Sequence, residues 1–152
     1  MSGYRTVVVG TDGSESSLRA VARAGALAGA CGAQLVIACA YLPDEADDRE
    51  LSRARDVLGD EAYQVVGSSP ADETVRTAAE RAASAGAGRV RSVAVAGSPV
   101  EVLMEVVRRE EGDLLVVGNR GLNSVKGRLL GSVPADATRR SACDVLVVHT
   151  TG

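Results

Sequence analysis

The chain has 152 residues, 45% of them hydrophobic and 24% charged, and a formal net charge of −3. That length suits one domain with a sizeable core, so a single domain over residues 1–152 is expected. The acidic balance argues against a general nucleic-acid binder, which needs a basic excess to neutralise phosphates. No apolar run approaches the roughly 20 residues that span a bilayer, so no membrane partner is expected either.

Phe and Trp are absent, so the core must be built from small aliphatic side chains. Cys31, Cys39 and Cys143 have neither metal-like nor redox-like spacing and are read as buried reduced thiols. The opening MSGYRTVVVG runs straight into a strand pattern with no leader, and a cytoplasmic protein is expected.

In chain order, short apolar runs alternate with amphipathic stretches, the pattern of parallel strands joined by crossover helices. Strands are expected over 4–10, 33–41, 90–97, 113–119 and 144–150. Their near-continuous Val and Leu suits strands covered on both faces. A first helix is expected from Ser14 to about Cys31, with Leu18, Val21, Ala22, Gly25 and Ala28 on one face. A second is expected from Pro70 to about Ala85, burying Val75, Ala78, Ala79 and Ala82. Residues 42–69 are polar and read as a loop with one short helix. Ser98, Pro99 and Glu101 read as a capping box with proline at the first helical position, opening a third helix that buries Leu103, Val106 and Val107 and stops at Gly112. A fourth helix is expected from Gly131 or Ser132 to about Ser141.

Right-handed crossovers between five parallel strands give a doubly wound α/β sheet, with its switch point between the strands ending at Gly10 and Asn119. Ligands of such sheets bind at the carboxyl ends of the strands, in that crevice. Both strand ends carry unusual residues: GTDGS at 10–14, and GNRGLNSVKGRLLGSVP at 118–134 with four glycines. Residues 118–140 also hold Arg120, Lys126, Arg128, Arg139 and Arg140 against Asp136 alone, a local excess suited to a small phosphorylated ligand. Glycine lets a backbone approach an anion, and a helix N-terminus presents free amide donors to it.

The loop is neither a Walker A motif nor a dinucleotide fingerprint, because the glycine spacing of each is missing. It consists of Gly118, two residues, Gly121, nine residues, Gly131 and Ser132. This resembles the ATP-binding motif G-x2-G-x9-G-[S/T] of the universal stress protein family, and the resemblance extends over the whole chain, most closely to single-domain actinobacterial members. It implies a five-stranded parallel sheet of order 3-2-1-4-5 flanked by four helices, as in adenine nucleotide alpha hydrolase-like folds. It also implies a dimer joined through the last strand, Asp144 to Thr150.

The candidate contact set comprises Gly10, Thr11 and Asp12 on the first strand end, Val117, Gly118, Asn119, Arg120 and Gly121 on the fourth, and Gly131, Ser132, Val133 and Pro134 entering the last helix. By resemblance Ala40 would offer backbone groups to adenine. Asp12 can accept bonds from ribose hydroxyls or serve as a turn residue ahead of the helix. Lys126 and Arg128 can contact phosphates or remain solvated loop charges, while Tyr41 can cover the pocket rim or enter the core. His149, the only histidine, is read as a surface or interface residue without a catalytic partner.

Two functions follow from these residues together with what the resemblance implies. The first is a stress-related regulatory protein that binds ATP or cyclic AMP, with Mg2+ accompanying ATP and with little or no turnover. The second is a slow magnesium-dependent phosphohydrolase or nucleotidyl transferase using Asp12 and Lys126. No catalytic residue and no protein metal site is assigned, since no pair reads as general base plus activated water and no second acid stands near the loop.

Overall fold

The computed structural model of the chain describes residues 3–42, 68–120 and 132–150. Among them five strands and four helices alternate: β1 (Thr6–Gly10), α1 (Glu15–Cys31), β2 (Gln34–Tyr41), α2 (Ser68–Ala85), β3 (Arg89–Ala96), α3 (Pro99–Arg109), β4 (Leu114–Gly118), α4 (Ser132–Arg140) and β5 (Asp144–Val148). The strands form one parallel sheet of order β3-β2-β1-β4-β5. Most of 42–69, with its expected short helix, lies outside the described residues.

Strand alternation divides the apolar residues between two cores. Val7, Val9, Leu35, Ile37, Leu114 and Val116 face α1 and α2, where Leu18, Val21, Val75 and Ala78 meet them. Val8, Val36, Leu115 and Val117 face α3 and α4, where Leu103, Val106, Val133 and Ala137 meet them. This is why β1, β2 and β4 read as unbroken Val and Leu: each strand supplies both layers. The edge strands differ, with alternating exposure along β5 and polar, exposed Arg89, Arg91 and Ser92 on β3.

Small residues set the spacing of the helix layer over the first core. A Cβ on Gly25 of α1 would lie 2.8 Å from the Ala82 carbonyl oxygen of α2, so the two backbones almost touch. At the end of α1, Gly32 adopts φ 66 and lets its own N–H and that of Ala33 close on the last carbonyls of the helix, including Ala33 N–H to the Ala28 oxygen at 2.8 Å.

Helix α3 departs from its expected ends. Pro99 opens it, but the Ser98 side chain makes no capping hydrogen bond, so the capping box does not form. The helix also stops before Gly112: its last residue is Arg109, and the left-handed position falls on Glu111, φ 55. Gly112 is small for a different reason, since a Cβ there would lie 2.9 Å from Cγ2 of Val8. The thiols also differ from expectation, because only Cys39 is buried while Cys31 and Cys143 are partly exposed.

Candidate functional site

The helix that follows β1 packs in the first core and the one that follows β4 packs in the second. The chain therefore leaves these two adjacent strands toward opposite faces, and a crevice opens at their carboxyl ends. β1 and β4 pair in register as far as Val9 and Val116, so that Gly10 and Val117 are the next residues on either side, after which the Thr11 N–H turns to β2 and the Asn119 N–H to β5. Ala40 lies two residues further along β2 than Ala38, the partner of Gly10, and is partly buried.

Hydrogen bonds within the chain fix the β1–α1 turn. Thr11 is fully buried; its N–H donates to the Ala38 oxygen at 2.9 Å, and its hydroxyl oxygen accepts the Gly13 N–H at 3.0 Å. The Ser17 hydroxyl donates to the Ser14 carbonyl at 3.0 Å, so its 2.8 Å contact with Thr11 is completed by the Thr11 proton. Thus the Thr11 side chain shapes the turn, and its hydroxyl already has its partners. Oδ1 of Asp12 accepts the Ser14 N–H at 2.9 Å, forming the Asx turn that the residue type allows. Gly13, with φ 85, makes the tight passage possible. Ser14 then caps α1 by accepting the Ser17 N–H at 3.2 Å.

The β4 wall has an organisation that motif spacing does not disclose. Gly118 underlies the C-terminal tail: a Cβ there would stand 3.2 Å from Cγ2 of Thr150. Asn119 continues the sheet through its N–H to the Val148 oxygen at 2.8 Å, while its Oδ1 accepts the Thr150 N–H at 2.8 Å and the Thr150 hydroxyl at 3.0 Å. Thr150, almost completely buried, was not among the expected site residues. Its only sequence signal is a polar side chain just after an apolar strand.

At the entrance to α4, Val133 is buried in the second core and Pro134 is buried beside it. Proline in the first turn lacks only an N–H that would need no helical partner. Arg120 is exposed at the crevice. Arg139 and Arg140, at the far end of α4, pair instead with Asp136 and Glu101. Gly121 and Gly131, with Lys126 and Arg128 between them, lie outside the described residues.

Among the described residues, no group of three or more His, Cys, Asp or Glu side chains is placed to hold a metal ion, and no helix is long and apolar enough to cross a membrane. His149 is exposed, and Tyr41 packs partly buried against the first core. A separate groove of about 550 Å³ lies at the amino ends of the strands, lined by Tyr4, Asp113, Cys143 and Asp144 among others. Its polar groups serve the fold: the Tyr4 hydroxyl donates to Asp144 at 2.9 Å, and Asp113 accepts the amides of Arg5 and Thr6.

The model of the universal stress protein family matches residues 3–149. Universal stress protein Rv1636 of Mycobacterium tuberculosis H37Rv is 54% identical over 151 residues, covering 99% of this chain and 100% of that protein. A crystal structure of a universal stress protein in complex with cAMP is 47% identical, with a TM-score of 0.75 over 99% of this chain and 100% of that chain. UspA from Lactobacillus plantarum shares the fold at 22% identity, with a TM-score of 0.75 over 98% of this chain and 100% of its own. With the 3-2-1-4-5 sheet and a family match over almost its whole length, this chain belongs to the universal stress protein family.

Proposed function

We propose that the protein binds an adenine nucleotide, ATP or cyclic AMP, in the crevice at the carboxyl ends of β1 and β4, and acts as a regulatory protein whose state follows occupancy. The observation that carries this reading is the structure in complex with cAMP, 47% identical to the chain over 99% of its length. The crevice geometry supports it, because both strand ends meet there and the N-terminus of α4 follows on the β4 side.

Each candidate residue then has a chemical task. Asp12, whose Oδ1 already accepts the Ser14 N–H, accepts ribose hydroxyls with its carboxylate. Gly10, Ala40 and Val117 contribute backbone, since Val117 turns its side chain into the second core. Gly118, Asn119, Arg120 and Gly121 carry the chain past the phosphates, and Gly131, Ser132, Val133 and Pro134 place a helix N-terminus toward them. Mg2+ enters as the companion of ATP, held mainly by its phosphates, because Asp12 is the one carboxylate among the described residues of these two strand ends. The same reading makes residues 1–152 one cytoplasmic domain, with a small-molecule ligand and no nucleic-acid partner. Its homodimer is joined through Asp144 to Thr150.

Calorimetry with ATP·Mg2+ and with cyclic AMP tests the proposal. The parent protein should bind at least one of them, and Gly121→Val should abolish binding while leaving the melting temperature nearly unchanged. Equal affinity in parent and variant would remove the loop assignment. ADP release that depends on Mg2+ and clearly exceeds a protein-free control would instead favour slow phosphohydrolysis.

A further inference from the structure

The C-terminal tail joins the two walls of the crevice through one side chain. On the β4 side, Oδ1 of Asn119 accepts both the N–H and the hydroxyl of Thr150, at 2.8 and 3.0 Å. On the α1 side, Ser16 Oγ lies 2.6 Å from the Thr150 hydroxyl oxygen, and Nη1 of Arg19 donates to the Thr150 carbonyl at 2.6 Å. Since the Thr150 proton points at Asn119, Ser16 must donate in its pair. Below, Gly118 has no side chain, and a Cβ there would crowd Cγ2 and Oγ1 of Thr150 at 3.2 and 3.4 Å. Thr150 is thus almost wholly buried beyond the last residue of β5, its hydroxyl donating to Asn119 and accepting from Ser16.

Such a knot does more than end the chain. Ser16 and Arg19 belong to the helix that starts at the Asp12–Ser14 turn, and Asn119 directly follows β4. Both segments are candidate ligand walls, and no strand pairing joins α1 to the residue after β4. A hydroxyl bonded to both adds a direct tie to the packing of α1 against β4 and so helps hold their separation, which is the quantity a pocket must hold to bind tightly.

We propose that Thr150 is a positioning residue: it clamps the α1 wall to Asn119 and so sets the affinity of the crevice for an adenine nucleotide. The affinity part rests on the binding function proposed above; the clamp itself does not.

The test compares Thr150→Val, which keeps the shape and removes the hydroxyl, with Thr150→Ser, which keeps the hydroxyl. Amide exchange at Asn119 and at residue 150 is measured without ligand, and calorimetry is run with cyclic AMP and with ATP·Mg2+. Thr150→Val should speed exchange at both amides and weaken binding about tenfold, the usual consequence of losing one or two buried hydrogen bonds. Thr150→Ser should stay within about twofold of the parent, and Thr150→Val should add little further loss in an Asn119→Ala background.

Unchanged exchange in Thr150→Val would overturn the clamp, as would equal weakening by Val and Ser, which would mark a packing role only. Faster exchange with parental affinity would overturn its effect on binding. A parent that binds neither nucleotide would defeat the affinity part along with the proposed function, and the exchange rates would still decide the clamp.

Discussion

The carboxylate of Asp113, at the threshold of β4, accepts the backbone N–H of Thr6 at 2.9 Å, where β1 begins. It also accepts the Arg5 N–H at 2.9 Å, while its own N–H donates to the Thr6 oxygen at 3.0 Å. One side chain thus sets where the two central strands of the sheet start relative to each other. Partial burial acts to raise its pKa, but the amide bonds from Arg5 and Thr6 outweigh that and hold it below the ordinary carboxylate value. A lowered folded pKa contributes stability above the unfolded value near ~4, and that contribution is lost as pH falls through the folded value. Asp113→Ala should cost about 1–3 kcal/mol near neutral pH. In urea unfolding the gap between parent and variant should narrow on acidification, and parallel pH curves would show that the charge contributes nothing.

Where α1 and the end of α2 cross, the Gly29 Cα faces the Gly86 carbonyl so closely that any Cβ would overlap it. In an exposed helix Gly→Ala is favourable by about 1 kcal/mol through propensity. Here the obstruction is backbone and cannot rotate away, so the sign reverses. Gly29→Ala should destabilise by about 1–3 kcal/mol. Gly88→Ala, whose Cβ would meet nothing within 4 Å, should stay within about 0.5 kcal/mol of the parent. Chemical denaturation of both variants decides the point, and a stabilised Gly29→Ala would mean that the helices separate easily.

Cys39 is fully buried in the first core, and burial, with the nearby Asp12 and Asp72 carboxylates, pushes its thiol up to about 12. A neutral, inaccessible thiol does not alkylate. Iodoacetamide at neutral pH should therefore label Cys31 and Cys143, both partly exposed, and reach Cys39 only after unfolding. Peptide mass spectrometry reads this directly; native labelling of Cys39 would mean that β2 opens.

Strand identity was legible because a doubly covered strand needs apolar residues on both faces, and VVV at 7–9 or LLVV at 114–117 supplies them, whereas the strand order came from the family resemblance alone. Their ends were less legible. The expected fifth strand runs to Thr150, but β5 ends at Val148, and Thr150 then gives its N–H to the Asn119 side chain instead of a backbone ladder. Local pattern also misplaced the end of α3: glycine at 112 suggested a helix stop, whereas close packing against Val8 accounts for its size. Of the candidate site residues, Gly118 was picked out by the glycine spacing and Asn119 by its place at the strand end, but their contact with Thr150 joins residues over 30 positions apart, which no local periodicity encodes.

Asp12 holds the β1–α1 turn and is proposed to bind ribose, two roles that a pair of substitutions separates. Asp12→Ala removes the Oδ1 acceptor of the Ser14 N–H together with the carboxylate proposed for ribose. It should lower both the melting temperature and nucleotide affinity, the latter by about 1–3 kcal/mol. Asn forms the same Asx turn without the charge, so Asp12→Asn should recover the melting temperature but only part of the affinity. If Asp12 is a turn residue alone, calorimetry will show parental affinity in Asp12→Asn.

The two edges of the sheet are unlike, and that difference guides the last prediction. β3 places exposed Arg89 and Arg91 along its edge, charges that discourage strand addition, whereas β5 presents Val145, Leu146 and Val147 with Leu146 exposed. The Val148 oxygen accepts the Asn119 N–H, so Val148 directs its backbone groups toward β4. Backbone groups alternate sides along a strand, so those of Val147 point outward, available to a second copy. Val147→Pro then removes a donor on the free side and leaves the β4 ladder its bonds, a substitution that edge strands tolerate. If two copies pair through β5, sedimentation should show a dimer for the parent and a monomer or aggregate for Val147→Pro, with the helical far-UV signal preserved. A monomeric parent, or a variant with an unaltered oligomer, would place the interface elsewhere or remove it.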